Sequence, residues 1–333
     1  MKMKAIILNE NNVLKDKSIE LRPILPNEVK VKIIASGFNP IDYQMRENEH
    51  ERQYLFSPIL GREGSGIVIE TGEDVTEFKP GDEVFFVCGS MGSNGTYAEQ
   101  IILPEAIVAK KPNVTNFEQA AGLPSIGITA FQIFNRVDWN QIENILITGA
   151  SGGVGNFILR ILLGKFNKKI IVTAGNEESI QQLIEIGINA SQIINYKQEN
   201  LAESILEINN NQKFDIVIDA VGHQFSEISA EVLKANGIYI NITHFITPKA
   251  NDLLFGISAT ILNISNFIYA REKQYDYFRN SLNQIRELID GKILQPLPLK
   301  IVGGLSAKTA EEAQQTLKNN QTQGKKLIML NQE

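Results

Sequence analysis

Residues 145–155 read Ile-Leu-Ile-Thr-Gly-Ala-Ser-Gly-Gly-Val-Gly, mostly β-branched apolar residues followed at once by glycines and small side chains. The first four suit a buried strand. The glycines then permit a tight turn, and beyond Gly155 the apolar residues continue at helical spacing. Strand, tight turn and helix in direct succession fix the local fold more narrowly than any other stretch of the chain.

Two chemistries use such a turn. In a dinucleotide-binding turn one small residue permits the bend, one lets the backbone approach a pyrophosphate, and one lets helix and strand pack closely; Ala150, Gly152 and Gly155 fit those places. The free N–H groups at the start of the helix, at the positive end of its dipole, then bind phosphate. Gly149-Ala150-Ser151-Gly152-Gly153 also fits the G-x-S-x-G pattern of a nucleophile elbow, for which Asp219 with His223 or His244 supplies a candidate triad. No oxyanion motif precedes the serine, and an elbow does not require Gly155. A second strand, ending about 20 residues after Gly155, stands where a ribose contact belongs. The nucleotide reading is the better supported.

The surrounding rhythm agrees. The first 120 or so residues alternate apolar and polar positions in short segments such as Val29-Lys-Val-Lys-Ile33, with turn formers at Pro26-Asn27 and Lys79-Pro-Gly-Asp82, which is an all-β signature. From Glu118 to about 245 strands and helices alternate, which implies a parallel sheet wrapped by helices. Helical segments are expected at 275–290 and 306–320. The simplest architecture is an α/β domain inserted into a β-rich one that the C-terminal segments complete.

Interspersed charges summing to −6 in 333 residues argue against a nucleic-acid or anionic-membrane partner and leave a small-molecule substrate. The apolar region near 253–270 is broken by Asn263, Ser265 and Asn266 and falls short of a membrane helix. The basic start lacks the apolar stretch of a signal peptide, and the single Cys88 excludes an internal disulfide. A cytoplasmic protein is expected.

Seven segments together resemble one known superfamily. They are Ser36-Gly-Phe-Asn-Pro-Ile-Asp-Tyr43, Gly61-Arg-Glu-Gly-Ser-Gly66, Pro80-Gly-Asp-Glu-Val84, Gly95-Thr-Tyr-Ala-Glu99, Ala150-Ser-Gly-Gly-Val-Gly155, Phe214-Asp-Ile-Val-Ile-Asp-Ala-Val-Gly222 and Gly324-Lys-Lys326. In this order and spacing they resemble the medium-chain dehydrogenase/reductase superfamily, in its zinc-free, zeta-crystallin-like quinone oxidoreductase branch. The resemblance implies a Rossmann doubly wound parallel sheet over residues 122–270, inserted into a GroES-like β-rich catalytic domain formed by 1–121 and 271–333. It also implies a cleft holding NADPH, and a homodimer in which the apolar 253–268 region is the candidate interface. Two positions depart from the pattern: Arg160 stands for the usual Gln, and Ser179 for a phosphate-binding Lys.

The same resemblance places the nucleotide along Ala150, Ser151, Gly152, Gly153 and Val154, then Gly175, Asn176, Tyr196, Val221, Thr243 and Lys325. Asn39 and Thr129 fall at the nicotinamide end. Zinc-dependent relatives carry metal ligands where this chain has Asn39 and Arg62; an amide is a poor ligand and a guanidinium offers no acceptor at all. Without a metal to acidify an alcohol, the favoured reaction is reduction of a quinone or an enone by hydride from NADPH. Asn39 and Tyr43 are the catalytic candidates, against the plainer readings of a turn residue and a packed tyrosine. Asp42 is a relay candidate or a solvated or capping carboxylate. Thr129 also reads as an ordinary helix residue. His50 lies in the charged stretch RENEHER, expected to be a solvated face or loop. His223 and His244 read as loop residues, and Gly89–Gly95 reads as a turn rather than a phosphate loop. The end of the second strand, Thr173-Ala-Gly-Asn176, has no carboxylate to repel a 2′-phosphate, which favours NADPH over NADH, although Glu177 and Glu178 follow. A redox-sensing nucleotide-binding protein with little turnover is the alternative function.

Overall fold

A parallel strand covered on both faces needs apolar residues at nearly every position. Ile145–Ile147, Ile170–Val172 and Ile216–Ile218 supply them, and every one is buried. The computed structural model describes residues 2–90 and 92–332. Its chain divides into two compact units: residues up to Ile128 together with those from Asn266 onward form one, and Thr129–Ser265 the other.

The Thr129–Ser265 unit holds a six-stranded sheet. Its strands lie in the order Ile193–Asn195, Lys169–Ala174, Asn144–Thr148, Phe214–Asp219, Leu233–Asn241 and Thr260–Asn263, and every pairing is parallel. Numbered along the chain this is 3-2-1-4-5-6, the doubly wound order, in which the two directions of winding part between Asn144–Thr148 and Phe214–Asp219. The helices Gly153–Lys165, Glu177–Ile186, Leu201–Ile208, Gln224–Val232 and Pro248–Gly256 follow successive strands. A core of Leu146, Ile171, Phe214, Val217, Tyr239 and Leu254, among others, fills one face of this sheet.

In the other unit a hairpin, Lys2–Leu8 with Leu14–Glu20, accompanies a sheet of seven strands. Lys326–Leu330 is an inner strand, parallel to Leu299–Gly304 and antiparallel to Glu28–Gly37. Beyond Glu28–Gly37 come Glu63–Thr71, Glu83–Val87 and Val108–Lys110, while Gln100–Pro104 also pairs with Glu28–Gly37. The expected late helices are present as Tyr275–Asp290 and Ala307–Lys318. The RENEHER stretch differs from the loop alternative: Glu49–Arg52 is a helical turn, started by Asn48 accepting from the His50 N–H, and no residue of it is buried.

Candidate functional site

In the Thr129–Ser265 unit the singled-out residues gather at the carboxyl ends of the parallel strands. Gly149 follows the first strand at φ +68°, and Gly152 N–H closes the turn on Gly149 O at 3.0 Å. Gly152 then caps the helix Gly153–Lys165 and, having no side chain, leaves the first-turn amides without a side-chain acceptor. A Cβ on Gly155 would lie 2.4 Å from Gly149 O and 2.9 Å from Ala150 Cα, so helix and strand close up only because Gly155 lacks one. Ala150 is buried, whereas Ser151, Gly152, Gly153 and Val154 keep some exposure. First-turn amides with no side-chain acceptor, a helix start capped by glycine and the close helix–strand approach at Gly155 fit a diphosphate.

Gly175 and Asn176 follow the second strand. The Tyr196 hydroxyl fills the space a Gly175 Cβ would need, at 2.1 Å, and Asn176 Oδ1 accepts the Ser179 N–H at 2.8 Å to cap the next helix. Val221 N–H and Gly222 N–H both bond Asp219 Oδ1, at 3.0 and 2.9 Å, and a Gly222 Cβ would lie 2.4 Å from the Thr243 hydroxyl. Lys325 belongs to the other unit, where it is half-buried with its N–H on Thr322 O. Thr129 is half-buried on the helix Pro124–Phe134.

Asp219 is not available as a triad acid. Its Oδ1 also accepts from the Thr148 hydroxyl at 2.6 Å, and Oδ2 from the Tyr239 hydroxyl at 2.6 Å. Burial, then the Asp219 charge, drive the Tyr239 phenol well above its ordinary pKa. Among the described residues neither histidine bonds Asp219: the His223 ring stacks on Phe245 at 4.5 Å, and His244 is exposed. The serine-hydrolase geometry is absent.

The other unit contains a cluster built from four separated segments. Asn39 precedes the helix Pro40–Glu47, and its N–H donates to Asp42 Oδ2 at 2.9 Å. Asn39 Nδ2 donates to Glu63 Oε1 at 2.8 Å and, more weakly, to Ser125 Oγ at 3.4 Å. Lys326 Nζ donates to Asn39 Oδ1 at 2.7 Å and lies 2.5 Å from Glu63 Oε1. Glu63 Oε2 accepts the Ser125 N–H at 2.8 Å. Glu63 and Lys326 are both buried. The sequence reading weighed Lys326 as part of the Gly324-Lys-Lys326 motif and as added charge near a 2′-phosphate and did not single out Glu63 or Ser125, and no local spacing joins these positions.

Asp42 caps the helix, but it is not solvated: it is 1% exposed, and burial raises its carboxyl to a pKa of about 6 against the opposing Asn39 N–H, Arg62 and Lys326. Among the described residues, Asp42 Oδ1, the Tyr97 hydroxyl and Gln314 Nε2 are buried with no partner at full hydrogen-bond distance, although the tyrosine interacts with both of the others. Arg62 bonds the Ser90 hydroxyl and Met45 Sδ, and burial lowers its pKa. Tyr43 is half-buried on the same helix as Asp42, with no hydrogen bond recorded for its hydroxyl among the described residues. In the 89–95 loop Gly89 N–H bonds the Ser93 hydroxyl at 3.2 Å; Met91 lies outside the described residues. Among the described residues no group of three or more His, Cys, Asp or Glu is arranged to hold a metal ion, and no helix is long and apolar enough to cross a membrane.

Residues 25–113 match the alcohol dehydrogenase GroES-like domain family, and residues 153–290 the zinc-binding dehydrogenase family. The human mitochondrial NAD(P)H oxidoreductase RTN4IP1 is 30% identical over 321 residues, covering 86% of this chain and 79% of that one. The chloroplastic NADPH-dependent alkenal/one oxidoreductase of Arabidopsis thaliana is 26% identical, covering 71% of this chain and 61% of the relative. Among solved structures, the quinone oxidoreductase of Coxiella burnetii superposes over the whole of both chains with a TM-score of 0.82 at 25% identity.

Proposed function

Because the chain belongs to the medium-chain dehydrogenase/reductase superfamily, in its quinone oxidoreductase branch, we propose that it reduces quinones or conjugated enones with NADPH and without a catalytic metal. The observation that carries this reading is the turn Gly149–Gly155, whose helix start without a side-chain cap and close helix packing stand at the switch point of a 3-2-1-4-5-6 sheet.

When bound, NADPH supplies the hydride, which a quinone or a carbon–carbon double bond conjugated to a carbonyl accepts. The protein's own contribution is binding and orientation. Main-chain amides along Ser151–Val154 would hold the diphosphate. Gly175, Asn176 and Tyr196 would contact the adenosine ribose, Val221 and Thr243 the middle of the nucleotide, and Asn39 and Thr129 would each serve the nicotinamide end. The absence of a carboxylate in Thr173–Asn176 supports NADPH over NADH, and the named cofactor of the Arabidopsis relative agrees. Lys325 adds charge for a 2′-phosphate. Tyr43, with its hydroxyl uncommitted, is the proton donor toward the reduced acceptor. Arg62 supports metal-free chemistry, since a guanidinium takes a position that demands a donor ligand.

A homodimer is the proposed assembly. Thr260–Asn263 is an edge strand of the six-stranded sheet, and Phe255 nearby is 86% exposed. The buried Cys88 suits a reducing compartment such as the cytoplasm.

Incubating the purified protein with NADPH or NADH and a panel of ortho- and para-quinones and short enones tests the reading. Oxidation of NADPH dependent on one or more acceptors is expected; no oxidation of either nucleotide with any acceptor overturns it.

A further inference from the structure

We infer that Lys326 and Glu63 are a positioning pair, which locks the Asn39 amide in one orientation and leaves its oxygen as its one remaining hydrogen-bonding surface. The inference rests on the proposed reductase reading for what that oxygen meets, but not for the lock itself.

The lock follows from which atoms face which. Lys326 offers only donors, and one meets Asn39 Oδ1 at 2.7 Å. Glu63 Oε1 meets Asn39 Nδ2 at 2.8 Å as an acceptor and stands 2.5 Å from Lys326 Nζ, which closes a three-membered ring of charge-assisted contacts. Turning the amide over would set its NH₂ against an ammonium and its oxygen against a carboxylate. Both contacts would then repel in a buried place, so one rotamer is enforced.

The ring is itself anchored. Ser125 N–H holds Glu63 Oε2 at 2.8 Å, and a Cβ on Gly37 would lie 2.6 Å from Glu63 Oε1, so the strand next to Glu63 is kept bare for its carboxylate. The Asn39 main chain is fixed separately by Asp42 Oδ2. A buried ion pair adds little net stability, because desolvation consumes most of the Coulombic gain. Geometry is the return that this one gives.

The amide's donors are engaged by Glu63 Oε1 and Ser125 Oγ, whereas its oxygen has two lone pairs and one partner. Asn39 therefore accepts a hydrogen bond from a ligand and does not donate one. It suits a hydroxyl of the nicotinamide ribose and not the carbonyl oxygen of the acceptor, whose proton comes from elsewhere.

Removing Lys326 alone leaves Glu63 buried and unpaired, so the informative variant is Lys326→Met combined with Glu63→Gln, which abolishes both charges at similar volume. With NADPH and 1,4-naphthoquinone, the expected result is a fall in kcat of about tenfold or more, from a loosened near-attack geometry, with the calorimetric Kd for NADPH changed less than about threefold. Unchanged kcat per folded molecule makes the pair merely structural and overturns the inference. A weakened Kd with kcat retained at saturating NADPH overturns it too, because Lys326 is then a direct cofactor contact. A measurement on the wild-type protein decides the matter if the variant does not fold: with isotope-labelled asparagine, the Asn39 side-chain amide protons should exchange slowly in the free protein, and rapid exchange refutes the lock. Failure of the reductase reading looks different, since the wild-type protein would then oxidise no NADPH while the exchange measurement stands.

Discussion

Replacing Asp42 by Asn should make the protein more stable at neutral pH, by an amount that disappears in acid. Asp42 is 1% exposed, with Oδ2 on the Asn39 N–H and Oδ1 with no partner at full hydrogen-bond distance. Burial, opposed by that N–H and by the charges of Arg62 and Lys326 and aided by Glu63, lifts its pKa from 3.8 to about 6. A carboxyl whose pKa rises on folding binds its proton more tightly in the native state, so stability falls as pH climbs from about 4 to about 6 and then levels off. The difference, 6 − 3.8, corresponds to about 3 kcal/mol, of which about 2 kcal/mol is lost between about pH 4.5 and about pH 7.5. An asparagine retains an oxygen for the Asn39 N–H and carries no charge to desolvate. Urea denaturation of both proteins, followed by circular dichroism across that pH range, isolates the effect, because every other titrating group is common to the two. The gap between the curves should widen by about 2 kcal/mol toward neutrality in favour of the variant. Parallel curves would refute the argument that the ionised carboxylate is held at a cost.

Other substitutions probe the nucleotide-binding unit. Gly155→Ala places a methyl group 2.4 Å from Gly149 O and should cost about 1–3 kcal/mol in chemical denaturation while weakening NADPH binding measured by calorimetry. Tyr239→Phe strips Asp219 Oδ2 of its hydroxyl donor at 2.6 Å in a buried site, with an expected loss of about 1–3 kcal/mol by the same assay. Ser151→Ala removes a hydroxyl that bonds no described side chain or backbone, so NADPH-dependent kcat/KM should stay within about twofold of wild type. A collapse of activity on that change would restore a chemical role for the serine.

What could be read from the sequence and what could not divides along sequence separation. The parallel sheet was legible because its four inner strands announce themselves locally as apolar runs, whereas the short edge strands Ile193–Asn195 and Thr260–Asn263 carry too few residues to do so. The close packing assigned to Gly155 was legible for the same reason: it acts within six positions of Gly149. Asp219 has the order of a triad acid before a histidine, a reading the sequence already disfavoured, and the structure shows its oxygens taken by Thr148, Tyr239 and two amides. Asp42 looked like a surface cap because burial by Tyr97 and the helix Ala307–Lys318 leaves no trace in its own neighbourhood. The Asn39 cluster was half legible: the motif pointed to Asn39, but its partners Glu63, Ser125 and Lys326 arrive from other parts of the chain, with Lys326 separated from it by 287 positions.

That separation bears on how the protein comes to exist. Lys326 is carried on an inner strand between Leu299–Gly304 and Glu28–Gly37, and Asn331 beyond it bonds the Ser36 hydroxyl across 295 positions. During synthesis the Thr129–Ser265 unit is a contiguous stretch that has emerged whole while the first sheet still lacks a middle strand. The nucleotide-binding sheet can therefore assemble before Lys326 is available to order Asn39, and proteolytic removal of the Lys326–Leu330 strand would unlock that amide without touching the Rossmann sheet.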